Sequence, residues 1–227
     1  MEERPDRDDP RQIAARLDAE IEALPVKNTP NVRAIRRRYS RDLKHAPAAL
    51  ILDVATHLIQ SHGHRWVAYE LIRRHRAAFR TMGEAELEAL GQGIDSWSSV
   101  DSFARTLSGP AWLHGQVSNE VIHRWAGSDD RWWRRAALVS TVALNVRSRG
   151  GRGDVSRTLA VCRLLVDDDD DMVVKALSWA LRELVAHDPD AVRAFLSEHD
   201  HVLAARVNRE VTNKLTTGLK NPRRGQS

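Results

Sequence analysis

Apolar residues recur at intervals of three and four along most of the chain. Alternation at every second position and paired hairpin-turn residues are scarce, so the pattern predicts helices and no sheet. Asp9-Pro10 reads as the N-cap and first residue of a helix that stops before Pro25, and Thr29-Pro30 repeats the device. In the second helix Val32, Ile35, Tyr39 and Leu43 form one apolar stripe, and Arg33, Arg37, Arg41 and Lys44 gather on another face. The segment from Ala46 to Ser61 is mostly apolar and predicts a buried helix. Further helices are expected near residues 64–81, 84–92, 98–107, 117–126, 129–148, 153–166, 169–187, 188–198 and 202–219. Short runs of Gly, Pro, Ser and Asp separate them.

These helices are weakly similar to one another. HRWVAYEL, DRWWRRAAL and DMVVKALSW each open on a polar residue and then enter an apolar run. Trp66, Trp97, Trp132 and Met172 take comparable early positions, about 30 to 40 residues apart, an interval that suits stacked helix pairs of the HEAT type. The expected fold class is therefore all-α, with HEAT-like repeats forming a curved solenoid and presenting a basic concave face. No linker divides the chain, so one domain over residues 1–227 is expected, with residues 1–8 and 221–227 as frayed ends.

Three features do not fit a simple core. In KALSWALREL, Val173, Ala176, Leu177, Ala180, Leu181 and Leu184 share a stripe, and Trp179 lies off it beside Met172, Lys175 and Arg182. A Trp on a basic face suits a base or sugar, with Lys175 and Arg182 for phosphates; it equally suits packing against a neighbouring repeat. In DDRWWRRAALVSTVALNV, Arg134 falls with Thr141 and Asn145 on a polar face, whereas Arg135 sits at the edge of the apolar stripe. A guanidinium there needs a partner: a carboxylate, a phosphate or both. In Trp97-Ser-Ser-Val-Asp101, Ser98 and Asp101 match a capping box, a purely structural device. The four-residue spacing also lets Trp97 and Asp101 address one ligand from a helix mouth.

The charge balance narrows the partners. The 227 residues carry 35 Lys and Arg against 31 Asp and Glu, a net charge of +4, and the sequence pI is about 9.6. That predicts a basic face on a chain of mixed charge. The basic residues are nearly all Arg, the side chain that forks onto phosphate. The single cysteine, Cys162, excludes an internal disulfide and reads as core. The N-terminal MEERPDRDDP lacks the apolar stretch of a signal peptide, and no apolar run is long enough to span a bilayer, so a cytoplasmic location is expected; a monomer is expected as well. His57, His62 and His64, and separately His199 and His201, lack a metal-ligand spacing. No phosphate-binding loop, HExxH or GxSxG is present. No metal or organic cofactor is therefore expected. The run from Asp167 to Asp171 reads as the start of a helix, turned away from any nucleic acid.

IDSWSSVDSFA, WWRRAALV and KALSWALREL, in that order and at these intervals, resemble the AlkD-type DNA alkylation repair family, HEAT-like alkylpurine DNA glycosylases. The resemblance covers roughly residues 25 to 220. It implies that Trp97, Asp101 and Trp179 line the place of the modified nucleotide's sugar and that Arg135 grips the backbone nearby. Asn28 would supply a further polar contact to DNA. Two features depart from the family. Ser96 stands where a second aromatic often precedes the first Trp, and PVKNTPNVR is shorter and more polar than the usual lead-in. The activity implied is excision of cationic N3- or N7-alkylated purines, bulky adducts included, from double-stranded DNA. Two other readings stay open: a non-catalytic binder of damaged or branched DNA, and a protein-binding HEAT scaffold.

Overall fold

A computed structural model describes residues 9–222. Among them every regular element is helical, as the periodicity predicts. The expected frayed residues 1–8 and 223–227 lie outside the described residues. The chain gathers into two compact units that meet in sequence at Gln92–Gly93.

The first unit contains α1 (Pro10–Glu22), α2 (Thr29–Asp42), α3 (Ala48–Gln60), α4 (Arg65–Arg74), α5 (Arg76–Arg80) and α6 (Glu84–Gly91). Asp9 caps α1 by accepting from the Arg11 amide at 2.9 Å, as Asp-Pro predicts. The second cap lies one residue earlier than Thr29-Pro30 suggests. Asn28 Oδ1 accepts from the Asn31 amide at 2.9 Å, and Thr29 is already helical. An amide side chain satisfies an orphan N–H at least as well as a threonine hydroxyl does, so the cap falls at Asn28. Ile51, Val54, Ala55 and Leu58 of α3 meet Val67, Ala68, Leu71 and Ile72 of α4 in the core, all at most 1% exposed. Each large aliphatic buried this way contributes about 1.5–3 kcal/mol. The helix expected over 64–81 is broken at His75, whose extended backbone (ψ 103°) ends α4. Its Nδ1 then accepts from the Ala78 amide at 3.1 Å and caps α5. The Tyr69 hydroxyl (3.0 Å to the Leu90 carbonyl) and Arg65 Nη2 (2.7 Å to the Gln92 carbonyl) tie α4 to the end of α6.

The second unit contains α7 (Trp97–Phe103), a π turn over Ala104–Ser108, α8 (Gly109–Leu113), α9 (Asn119–Ala126), α10 (Arg131–Asn145), a 3-10 turn over Arg147–Arg149, α11 (Val155–Leu164), α12 (Asp171–Leu184), α13 (Pro189–Glu198) and α14 (Ala205–Thr217). Packing follows a repeat. α10 lies against α12 and α12 against α14, while α9 and α11 pack on α10 and on each other. The starts of α10, α12 and α14 are about 35 to 40 residues apart, the interval expected of stacked helix pairs.

α10 is the centre of this unit. Every residue from Arg135 to Asn145 is buried, so the polar face expected for Thr141 and Asn145 does not face water. Its polar groups bond inward. Ser140 Oγ meets Ser108 Oγ at 2.7 Å, Thr141 Oγ1 donates to the Leu138 carbonyl at 2.7 Å, and Asn145 Nδ2 donates to Thr158 Oγ1 at 2.9 Å. Such satisfied groups remove the desolvation cost that a polar side chain brings into a core.

The expected helix over 98–107 begins at Trp97 and runs on through the π turn into α8. Gly109 permits this crossing. A Cβ there would lie 2.8 Å from both the Ser140 carbonyl oxygen and the Ala143 Cβ. The missing side chain lets the α8 backbone rest directly on α10.

Candidate functional site

Ser96, where the family pattern often has an aromatic, caps α7. Its Oγ accepts from the Ser99 amide at 3.3 Å, and Ser99 Oγ accepts from the Ser96 amide at 3.2 Å. The capping box is thus Ser96–Ser99, and the expected Ser98–Asp101 pair does not form it. Asp101 is thereby released from backbone work. Trp97, the first residue of α7, is 59% exposed, and Asp101 follows one helical turn later on the same face. Behind them Phe103, Trp125 and Trp133 hold α7 against α9 and α10, with ring centroids 4.9–6.0 Å apart.

Arg135 links three helices. Its Nε donates to Asp101 Oδ1 at 2.9 Å and its Nη2 to Asp101 Oδ2 at 3.0 Å, a forked pair. Its Nη1 donates to the carbonyl of Met172 in the first turn of α12. The Arg135 side chain is 6% exposed and that of Asp101 17%. The buried guanidinium is therefore neutralised by a carboxylate that stays open to one side. Arg134 is not solvated as the helix wheel suggests. Its Nε meets Asp168 at 2.7 Å, and its Nη1 donates to the carbonyls of Ser128 and Asp129.

Trp179 lies seven residues after Met172, on nearly the same side of α12 and about 10 Å further along it. It is half-buried, and its indole N–H donates to Glu183 Oε1 at 2.8 Å. The Arg105 guanidinium stands over its ring, 5.4 Å from the centroid. Arg105 follows Asp101 by four residues and lies in the π turn, a distortion frequent at functional sites. Sequence inspection missed it, although the Trp97–Asp101–Arg105 spacing carries the same i, i+4, i+8 signal. Two contacts, Arg135 to Met172 and Arg105 to Trp179, thus join the strip that carries Trp97 and Asp101 to α12, which carries Trp179.

The remaining expected contacts disperse. Lys175 pairs with Asp171 one turn earlier. Arg182 turns inward: its Nε donates to the Ser178 carbonyl at 3.1 Å and lies 3.9 Å from Glu210 of α14, whose side chain is 5% exposed. Burial lowers the Arg182 pKa, against the opposing pull of Glu210 and Glu183. Asn28 caps α2 in the other unit. The aspartate run does begin a helix, with Asp170 capping α12 through the Met172 amide at 2.8 Å. Cys162 is fully buried, and burial pushes its thiol far above the ordinary range. The histidines around 57–64 are less scattered than their spacing suggests. His62 Nδ1 and His64 Nε2 lie 3.0 and 2.8 Å from the two oxygens of Asp18. Asp18, Glu22 and His64 bring ligand-type atoms within 4.8 Å of one another. The His64–Asp18 contact and the Lys27–Glu22 ion pair already engage these groups.

The fold and this arrangement define a class: an all-helical repeat protein in which a helix bearing an exposed tryptophan and an arginine-held carboxylate is joined through arginines to a helix bearing a second tryptophan. The profile of the DNA alkylation repair enzyme family matches residues 3–215. The chain belongs to that family. No curated protein and no solved structure matches it.

Proposed function

We propose that the protein is a DNA glycosylase that removes cationic N3- or N7-alkylated purines from double-stranded DNA, bulky adducts included. The observation that carries the reading is the exposed Trp97 and the open side of Asp101 on one turn of α7, with Asp101 held in place by the forked hydrogen bonds of Arg135.

The chemistry suits so small a site. A purine alkylated at N3 or N7 carries a positive charge and leaves without protonation. As the C1′–N bond breaks, its electron pair neutralises the base and the sugar becomes oxocarbenium-like. Asp101, on its open side, stabilises that cation and orients the water whose oxygen attacks C1′. The water's proton passes to solvent, and the products are a neutral base and an abasic site. The faces of Trp97 and Trp179 bound the sugar and favour positive charge. Arg105 and Arg135 supply cations for the adjoining phosphates, Arg135 through the part of its fork that Asp101 and Met172 leave open.

The test is incubation with duplexes holding N7-methylguanine or N3-methyladenine, scored for free base and abasic sites. Release by the purified protein is expected. One observation favours a second reading, a non-catalytic binder of damaged DNA: both Asp101 oxygens already accept from Arg135. Tight binding without base release from either duplex would select it.

A further inference from the structure

The first unit carries a cavity of about 630 Å³ between the 44–46 loop and α5, lined by Lys44, His45, Ala46, His75, Arg76, Ala77, Arg80 and Thr81. No carboxylate lines it. Its surroundings are as basic. Arg37, Arg41, Arg73 and Arg74 stand in the flanking turns, and Asp42 is the single acid in residues 33–46 and 73–81.

Two carboxylates of this unit are taken by other arginines. Glu70 serves both Arg33, at 2.7 Å, and Arg36, at 2.9 Å. Glu20 pairs with Arg38. Among the described residues, none is paired with Lys44, Arg76 or Arg80, and all three are exposed.

Helix-end electrostatics account for only part of this. Arg73 and Arg74 in the last turn of α4 and Arg41 in that of α2 suit the negative end of a helix dipole. Arg76 does not. It is the first residue of α5, where the dipole disfavours a cation, and it follows two further arginines within three positions. Burial, and after it the neighbouring Arg74, lowers the Arg73 pKa. The α5 dipole gives a cation at Arg76 no support.

His75 adds a donor. It is 8% exposed and lines the cavity. Because Nδ1 accepts from the Ala78 amide, the ring hydrogen of the neutral side chain resides on Nε2. Among the described residues Nε2 is not a buried atom left without a partner, so it is open to the cavity. The cavity thus offers one ring N–H fixed by its cap and three exposed cations, the set that suits the singly charged phosphates of a nucleic-acid backbone.

We infer that this cavity is a second DNA-backbone anchor, in which Lys44, His75, Arg76 and Arg80 hold phosphates of the substrate duplex apart from the α7–α12 patch. The inference rests on DNA being the substrate, and not on excision taking place.

The experiment measures affinity for an undamaged 20-base-pair duplex by fluorescence anisotropy across a range of NaCl concentrations. Arg76→Gln/Arg80→Gln should reduce the slope of log K against log [salt] by about 1–2 and weaken binding about tenfold or more near 0.1 M salt. The melting temperature should hold or rise, because like charges are removed. Single-turnover excision at saturating protein, where wild type excises, should be unchanged. Arg11→Gln/Arg16→Gln removes the same charge from exposed positions of α1 and should leave the slope as in wild type. Lys44→Gln, in an exposed loop, should lower the slope by about 1 even if the double variant folds poorly. Wild-type slope and affinity in the folded groove variants would overturn the inference, as would an equal loss in the α1 control. Loss of single-stranded RNA binding with duplex DNA binding intact would also overturn it. A wild-type protein that binds duplex but releases no base ends the glycosylase proposal and leaves this anchor standing.

Discussion

Replacing Asp101 by Asn separates catalysis from architecture, and the structure sets both magnitudes. Asp101 is the carboxylate partner of a 6%-exposed guanidinium, so its charge cannot be removed without cost to the fold. Breaking a fully buried pair costs about 3–5 kcal/mol. Asp101 is 17% exposed and Asn keeps one oxygen for Arg135 Nε, so about 1–3 kcal/mol is expected. For a chain of this size that is roughly 2–12 °C in Tm. The rate change has a different origin. Losing a negative charge beside a developing sugar cation removes about 2–4 kcal/mol of transition-state stabilisation, about 30- to 1,000-fold in single-turnover excision. The assay is release of N7-methylguanine from a duplex at saturating protein, at a temperature well below the variant's melting transition. Asp101→Leu/Arg135→Met supplies the control. Replacing both partners of a buried pair by apolar side chains tends to restore stability, so this protein should melt above either single variant yet remain inactive. Wild-type excision by folded Asp101→Asn would refute the catalytic role. Recovery of excision along with stability in the double variant would show that the pair matters only to the fold.

Other expectations follow from the same packing. Arg135→Ala should cost about 3–5 kcal/mol and weaken DNA binding, and Arg134→Ala, on a part-exposed pair with Asp168, about 1–2 kcal/mol; equal melting curves would contradict the tripartite bridge. Gly109→Ala should lower stability by about 1–3 kcal/mol despite alanine's helix propensity, since the added Cβ meets the α10 backbone; an unchanged or raised Tm would show that α8 can move away. Cys162 should resist iodoacetamide at pH 8 in the native protein and react once it is unfolded; native labelling would contradict its place in the core. Excision should survive a chelator, because the proposed chemistry needs only water and a carboxylate; activity lost to a chelator and restored by a divalent ion would redirect attention to Asp18, Glu22 and His64.

Helix content, most helix positions and the repeat interval follow from apolar periodicity, because each helix buries one stripe and the stripe is written in the local sequence. The anomalies were visible in the same way. Arg135 stands out because a guanidinium at the edge of an apolar stripe demands a partner, and Trp97 and Asp101 stand out by their spacing. What periodicity could not assign is which group answers which. Asp101 and Arg135 are 34 positions apart, and only the packing of α7 on α10 joins them. The Ser96–Ser99 cap is local, yet two overlapping pairs of residues compete for it, and the start of α7 decides between them. Thr141 and Asn145 look like a solvent face on a helix wheel, but helices stack on both sides of α10, so even its polar side is covered and must bond inward. The basic cavity is likewise split between residues 44–46 and 75–81. Local spacing determined the elements of this protein and the residues that needed explaining. Tertiary packing decided their partners, because hydrogen bonds and ion pairs act over a few ångströms of space regardless of separation along the chain.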